Sequence, residues 1–319
     1  MKKYVFFALV TFFNLSMYGQ QDRQFTHYLF DRMSFNPAVT GFKGYCGTIV
    51  YRNQWDKVEN APNTTLINVQ GNLQNLNSGS GKLGVGLSMH NDVIGYQRAN
   101  MLTGNLAYHV ETVYGVFSSG LGLGFINVGF DPDWVPPNVP AINDPTLAGI
   151  TTKVAATGFD SNVGLYWAHR NIYAGVSATH LIPQQLAKVS YQVARHYYIM
   201  GGYSYEFGQK HLGRVYPASI KPGVLIKTDG VTAVFDLNTK VDVWVNRSNY
   251  FWGALTYRYS DAVCVMAGLG MGNFKVGYSF DIMTNQLSQH GRGSHELMLT
   301  YCVFPERKQQ GFGNPWLLR

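Results

Sequence analysis

The stretch Val231-Thr-Ala-Val-Phe-Asp-Leu-Asn238 (VTAVFDLN) alternates side chains of opposite character. Its odd positions are apolar and its even positions are mostly polar, so as an extended strand it presents one apolar face and one polar face. The same period of two recurs in residues 66–70, 219–227 and 251–259. An outward apolar row alternating with a polar row is typical of the strands of a transmembrane β-barrel.

Turn residues divide most of the chain into short segments of this kind. We predict an all-β fold, a transmembrane antiparallel barrel of fourteen strands, with twelve as the alternative if short neighbours merge. The predicted strands cover residues 45–54, 63–73, 81–90, 97–110, 115–128, 158–168, 171–181, 195–207, 216–227, 231–244, 249–259, 262–270, 273–283 and 293–304.

Composition points to the same class of fold. The chain is 46% hydrophobic and 14% aromatic, with only 13% charged residues, whereas charged residues make up about 25% of an average soluble domain. No run reaches the roughly 18 to 20 apolar residues that a transmembrane helix needs. A large soluble β-protein is the alternative that composition leaves open.

The N-terminus has the layout of a secretory signal peptide. Lys2 and Lys3 precede the apolar run Tyr4 to Phe13, and Gly19 can serve as the last residue before cleavage. About ten apolar residues are too few to span a bilayer. We therefore expect a signal peptide over residues 1–19 and outer-membrane localisation after export; a buried N-terminal helix is the alternative. The barrel is expected over 45–304, followed by a periplasmic tail over 305–319.

Residues 20–44 do not alternate like a strand, yet they carry too many apolar side chains for a free tail. We predict that this segment lies inside the barrel or against its periplasmic mouth as a partial plug. A short edge segment leading into the first strand is the alternative. The plug candidates are Phe25, Tyr28, Phe30, Phe35, Asn36 and Pro37.

The longest linkers between predicted strands are 129–157, 182–194 and 284–292. If both termini are periplasmic, all three lie on the outer side of the membrane, which is the arrangement of outer-membrane barrels. The first of them holds five of the twelve prolines, and it is either an ordered functional loop or a tolerated surface insertion.

We find no pattern for catalysis, metal binding or cofactor binding, and therefore predict a protein that is not an enzyme. Gly120-Leu-Gly-Leu-Gly124 lies within a predicted strand with no helix after it, so it does not indicate a dinucleotide site. Its alternating glycines instead predict a flat wall where a large side chain packs. The net charge of +7 is scattered without a basic cluster, so no nucleic-acid partner is expected.

The three cysteines, Cys46, Cys264 and Cys302, lie far apart and in predicted strands. An odd number leaves at least one thiol unpaired. We interpret all three as small apolar residues, either buried or facing lipid.

Nine short motifs follow one another along the chain. They are Gln21-Asp22-x-Gln24-Phe25-x-x-Tyr28-x-Phe30, Phe35-Asn36-Pro37-Ala38-x-x-Gly41, Tyr51-Arg52-Asn53-Gln54-Trp55, Asn91-Asp92-x-Ile94-Gly95, Tyr173-Ala174-Gly175-Val176-Ser177-x-x-His180-Leu181, His196-Tyr197-Tyr198-x-x-Gly201-Gly202-Tyr203, Trp252-x-x-Leu255-x-Tyr257-Arg258, Gly277-Tyr278-Ser279-Phe280-Asp281 and Gly293-Ser294-His295-Glu296. With these motifs in this order, the sequence resembles the PorP/SprF family of outer-membrane proteins, associated with the type IX secretion system of the Bacteroidetes. Arg23 and Val39-Thr40 depart from the usual family pattern.

The resemblance implies export or surface attachment of a large secreted protein, of the adhesin or gliding type, that carries a C-terminal sorting domain. Other type IX secretion components and outer-membrane lipid are the further partners it implies. We expect the partner surface on the outer loops, at Asp131, Trp134, Pro137, Gln184, Tyr191 and Gln289. A passive channel or transporter for small molecules, hydrophobic ones included, is the alternative function.

Overall fold

A computed structural model describes residues 23–42, 44–73, 81–130, 153–186, 191–207, 218–246, 248–285, 288 and 291–303. The predicted signal peptide (1–19) and C-terminal tail (305–319) lie outside these residues. The strands are β1 (Tyr45–Asn53), β2 (Asn63–Leu73), β3 (Gly81–Ile94), β4 (Gln97–Thr112), β5 (Gly115–Phe130), β6 (Val154–His169), β7 (Ile172–Thr179), β8 (Gln184–Leu186), β9 (Tyr191–Val193), β10 (His196–Tyr203), β11 (Tyr205–Phe207), β12 (Ala218–Thr228), β13 (Ala233–Trp244), β14 (Asn249–Arg258), β15 (Ala262–Met271), β16 (Phe274–Met283) and β17 (Ser294–Val303).

The sheet closes on itself. Each barrel strand pairs antiparallel with its neighbours along the chain, and β1 pairs with β17 to seal the ends. Both β10 and β11 pair with β12, in one continuous register interrupted at Ser204, so together they form a single strand of the barrel. The described residues therefore form a closed barrel of fourteen strands, which confirms the predicted fold and excludes the twelve-strand alternative.

Side chains alternate between an outward apolar face and an inward mixed face. On β5, Leu121, Leu123 and Phe125 point outward and are 44%, 47% and 58% exposed, whereas Ser118 and Ile126 point inward and are buried. An apolar outer surface of this kind is suited to lipid rather than water. Within the described residues, no helix has the length and apolar character needed to cross a membrane; the helical elements there are 3-10 turns at Thr26–Leu29 and Pro37–Val39.

The two ends of the barrel differ. We call the end where β1 begins the turn end, and the opposite one the loop end. The predicted long linkers after β5, β7 and β16 all lie at the loop end, as expected. Two details differ from the prediction: β5 and β6 extend further, so residues 129–130 and 154–157 belong to strands, and β8 and β9 form a hairpin within 182–194. The 208–217 connection at the turn end is also as long as 284–293.

The interpretation of the cysteines was wrong for two of the three. Cys46 on β1 faces Cys302 on β17 directly across the seam, and the two form a disulfide on the inner face of the barrel. They face each other only because the first and last strands pair, which the spacing in the sequence does not reveal. Cys264 is a buried free thiol, as interpreted.

Candidate functional site

The N-terminal residues 23–42, which we call the luminal segment, run through the barrel from one end to the other. At the loop end, the Thr26 N–H donates to Glu296 on β17 (2.9 Å). At the turn end, the Gly41 N–H donates to the side-chain oxygen of Gln70 on β2 (2.9 Å). The chain then enters β1.

The six plug candidates all lie in this segment. Phe25, Tyr28, Phe35 and Asn36 are 2%, 5%, 3% and 0% exposed, Pro37 is buried and Phe30 is half-buried. The four aromatic candidates pack with inward aromatic residues of the wall into one apolar cluster. The structure thus places all six inside the barrel wall.

Three inward glycines form a seat for the turn Asn36-Pro37-Ala38. A Cβ at Gly120 on β5 would overlap the backbone of Pro37 and Ala38, and one at Gly164 on β6 would overlap Asn36. A Cβ at Gly175 on β7 would come within 2.9 Å of the Asn36 amide nitrogen. The flat wall predicted at Gly120 exists, but backbone rather than a large side chain packs on it.

The Asn36 side chain joins this seat to the backbone of the wall. Its amide nitrogen donates to the carbonyl oxygens of Leu165 (3.0 Å) and Val176 (3.3 Å). Its oxygen accepts from the Ala38 N–H (2.9 Å), which caps the 3-10 turn. The Ser177 hydroxyl also donates to the Phe35 carbonyl (2.6 Å). Asn36 therefore satisfies both the turn and the barrel, as a buried polar group must.

We expect Gly120→Val to displace the luminal segment without preventing barrel formation. The added side chain occupies the space of the Pro37–Ala38 backbone, and overpacking of this kind costs about 1–3 kcal/mol or more. Trypsin should then cleave after Arg32 in the folded variant but not in the folded wild type. The control is Gly104→Val on the outer face of β4, where the nearest atom to an added Cβ is 3.7 Å away. Equal resistance of Gly120→Val and wild type at Arg32 would refute the role of the seat.

Aromatic and cationic contacts hold the middle of the segment. Phe35 packs on Tyr198 with ring centroids 5.4 Å apart, and the Arg32 guanidinium lies 3.8 Å from the ring centroid of Tyr173. The Tyr28 hydroxyl accepts a hydrogen bond from the Asn238 amide on β13 (2.5 Å).

Charged side chains on the opposite half of the wall fix the loop end of the segment. Arg52 on β1 donates to Asp281 (2.7 Å) and to Glu296 (3.0 Å), and Glu296 also accepts from the His27 N–H (2.7 Å). Arg52 donates to the Thr26 hydroxyl as well (2.9 Å). Further along the wall, Arg258 and Lys227 both pair with Asp236. We call this set the loop-end charge network; its members are Lys227, Asp236, Arg258, Arg52, Asp281 and Glu296.

A second ionic group lies beside Phe30. Lys240 on β13 bonds to Asp242 (2.6 Å), which also pairs with Lys221 on β12 (2.8 Å). The Lys240 ammonium group stands 4.8 Å from the Phe30 ring centroid, and Phe30 packs on Trp252 with centroids 4.6 Å apart. The segment is therefore bound by cation–π contact as well as by hydrogen bonds.

The sequence analysis did not identify these charged residues as part of a site. A signal was available: charges are scarce in this chain, and most of those within strands lie in the polar row, where a barrel wall faces its lumen. What the arrangement does chemically is hold a segment of chain. Among the described residues, no group of three or more His, Cys, Asp or Glu side chains is placed to bind a metal ion.

The structure describes two of the six predicted partner-binding residues. Asp131, Trp134, Pro137 and Gln289 lie outside the described residues. Gln184 and Tyr191 lie on the strands of the β8–β9 hairpin. That hairpin folds over the lumen, since Leu186 and Val193 are buried against inward residues of β4 and β5: Ala99, Ile126 and Val128.

The fold and its filled interior define a class: a transmembrane β-barrel whose own N-terminal segment occupies the lumen. Within that class, the chain belongs to the PorP/SprF family of type IX secretion system membrane proteins, whose model matches residues 17–301. The protein is thus an outer-membrane barrel of a secretion-system family.

The chain is also similar to solved structures of transporters at low sequence identity. The toluene transporter TbuX of Ralstonia pickettii is 11% identical with a TM-score of 0.47, covering 86% of this chain and 93% of its own. The toluene transporter TodX of P. putida is 10% identical with a TM-score of 0.42, covering 85% and 93%. No curated protein sequence matches the chain.

Proposed function

We propose that this protein binds a large secreted protein at the loop end of the barrel, through that protein's C-terminal sorting domain, and assists its export or anchors it at the cell surface. The observation that supports this best is the filled lumen. The luminal segment is bonded to the wall at both ends and along its length. A macromolecular partner then binds outside the lumen, and we assign its contact to the loop end, where the strands joined by the long connections end.

The orientation of the barrel supports this proposal. Long connections on the outer side and short turns on the periplasmic side are usual in outer-membrane barrels. We therefore assign the loop end to the cell exterior and the turn end to the periplasm. The proposed partner surface includes Asp131, Trp134 and Pro137 in the connection after β5, and Gln289 in the connection after β16.

Export to this membrane requires passage through the inner membrane, for which we propose the signal peptide over residues 1–19. The charged start, the apolar run and Gly19 support it. We also propose that the role is not catalytic, because the interior charged side chains described above hold the luminal segment or pair with one another. Passage of small molecules, the alternative function, would require this segment to move.

The proposal predicts that tagged protein purified from native outer membranes brings a large secreted protein with it. Mass spectrometry should identify a partner that carries a C-terminal sorting domain. Replacing residues 131–152 by a short Gly-Ser linker should abolish recovery of the partner, because the strand ends at Phe130 and Val154 stay intact while the outer connection is lost.

The matched control replaces residues 208–217, a connection at the turn end, by the same linker. This control should recover the partner as the wild type does, and both variants should keep the faster gel mobility of an unheated folded barrel. Recovery of the barrel alone, from cells that secrete normally, would refute the proposed function and favour a channel.

A further inference from the structure

Strand β6 is much longer than one of its two neighbours. It pairs with β5 from Val154 to Ala168, but with β7 only from Val163 to His169. Among the described strands, only β5 pairs with residues 154–158 of β6. Within the described part of the chain, this stretch is therefore a strand edge at the loop end of the barrel.

The main-chain groups of this edge point toward the missing neighbour. The Ser161 carbonyl accepts from the Leu181 N–H (2.9 Å), on the side of β7. Main-chain groups alternate in direction along a strand, so those of Thr157 and Ala155 point to the same side. Within the described part of the chain, no main-chain hydrogen bond from outside the β5–β6 ladder reaches Ala155 or Thr157. The Thr157 hydroxyl accepts a hydrogen bond from the Asn127 amide (2.8 Å).

The β8–β9 hairpin does not complete the edge. It forms a separate two-stranded sheet, and its residues Leu186 and Val193 are buried on the inner face of the wall with Ile126 and Val128. Ala156 on β6 packs against this cluster from the wall. The hairpin therefore lies on the lumen side, and its strands do not pair with this edge.

The edge stands above the apolar outer band. Polar outward residues face one another across five strands at this level, and the residues one step closer to the turn end are apolar, such as Leu102, Phe125 and Phe159. A polar row above an apolar and aromatic row marks the boundary of the hydrocarbon layer. The polar row is Thr65, Asn91, Asn100, Asn127 and Thr157.

We propose that the edge of β6 at Ala155–Thr157 is a docking site for an extended strand of the secreted partner. This inference rests on the proposed function and names the contact that it uses. An uncovered edge above the membrane is a template for pairing, and natural proteins otherwise block such edges with charges, prolines or bulges. Residues 154–158 (VAATG) contain none of these residues.

The added strand binds mainly by main-chain hydrogen bonds. Its side chains alternate, with apolar ones toward the inner face beside Val154 and Ala156 and polar ones toward water beside Thr157. A sorting domain that presents a free edge strand of this pattern has the required chemistry.

The test is the substitution Thr157→Pro, which removes one main-chain N–H on the open side and leaves the β5 pairing intact. Purified from native outer membranes, this variant should recover about tenfold less partner than the wild type, the factor expected from losing a main-chain hydrogen bond and its neighbours. Thr157→Ala, which keeps the N–H, is the matched control and should recover the wild-type amount. Both should keep the gel mobility of the folded barrel.

Cross-linking tests the geometry. In a Cys264→Ser background, Ala155→Cys and Thr157→Cys are each labelled with a thiol-reactive benzophenone and irradiated in native membranes. Because both side chains share one face, the sites captured on the partner should be about two residues apart in one segment. Equal recovery by Thr157→Pro and wild type, or cross-links to this chain or lipid alone, overturns the edge proposal. Absence of any secreted partner from the wild-type purification instead overturns the proposed function.

Discussion

Replacing Arg52 by Met is expected to lower the free energy of unfolding by about 3–5 kcal/mol, the usual cost of removing one partner of a buried ion pair. The Arg52 guanidinium is nearly fully buried, with a side-chain exposure of 3%, and its two carboxylate partners are 2% and 0% exposed. Methionine keeps most of the volume, so the effect reports the lost charge rather than a cavity. Guanidinium unfolding of the barrel in lipid vesicles, followed by tryptophan fluorescence, measures it.

The comparison that isolates burial is Lys82→Met. Lys82 bonds to Glu111 at 2.6 Å, but the side chains are 37% and 45% exposed, and exposed pairs contribute only about 0–1 kcal/mol. A loss in Arg52→Met no larger than that in Lys82→Met would contradict the role of the loop-end charge network. Removing the facing charges as well, with Asp281→Asn and Glu296→Gln, should restore part of the stability, because no buried charge is then left without a partner.

The strands were largely predictable because alternation is a local property. About ten residues of a strand are enough to show its apolar and polar faces. The fourteen strands and their antiparallel arrangement could therefore be inferred without knowing any contact between distant residues. The predicted strand ends were wrong where strands extend beyond the apolar outer band. On β5 and β6, residues 129–130 and 154–157 continue the sheet above the apolar band, where outward side chains such as Asn127 and Thr157 are polar and the apolar row ends.

The contacts in the lumen were not predictable, because they depend on register around the closed barrel. Thr26 meets Glu296 across 270 positions of sequence, and nothing local marks the two as neighbours. The glycine seat has the same property, since Gly120, Gly164 and Gly175 lie on three strands and become one surface only after β5, β6 and β7 pair. The sequence did predict that residues 20–44 are neither a strand nor a free tail, because they are rich in apolar side chains yet lack alternation.

Several motifs of the family resemblance contain residues that form the luminal segment or contact it from the wall. Phe35-Asn36-Pro37-Ala38 is the turn on the glycine seat, and Gly175 is part of that seat. The resemblance motifs on the wall supply Arg52, Asp281 and Glu296, which bind Thr26 and His27. The quoted motifs therefore describe a segment and its receptor within one chain, rather than a collection of strand sequences.

The disulfide between Cys46 and Cys302 is expected to stabilise the barrel by about 5 kcal/mol, the chain-entropy value for loops longer than about 100 residues. It joins the first and last strands across a sequence separation of 256, so the unfolded oxidised chain is a nearly complete ring. Unfolding in guanidinium with and without reductant should show a lower midpoint for the reduced barrel. Cys264→Ser, which removes the buried free thiol, should keep the difference between the two conditions.

The double variant Cys46→Ser with Cys302→Ser separates the cross-link from other effects of the reductant. It should unfold at the midpoint of the reduced wild type in both conditions, because the strand pairing of β1 with β17 remains while the covalent ring is gone. On a gel of unfolded protein, the oxidised wild type should run faster than the reduced protein or the double variant, since a ringed chain is more compact. Coincident midpoints for the oxidised and reduced wild type would mean that the seam is held by its hydrogen bonds and by Arg52 and Glu296 alone, which also face each other across β1 and β17.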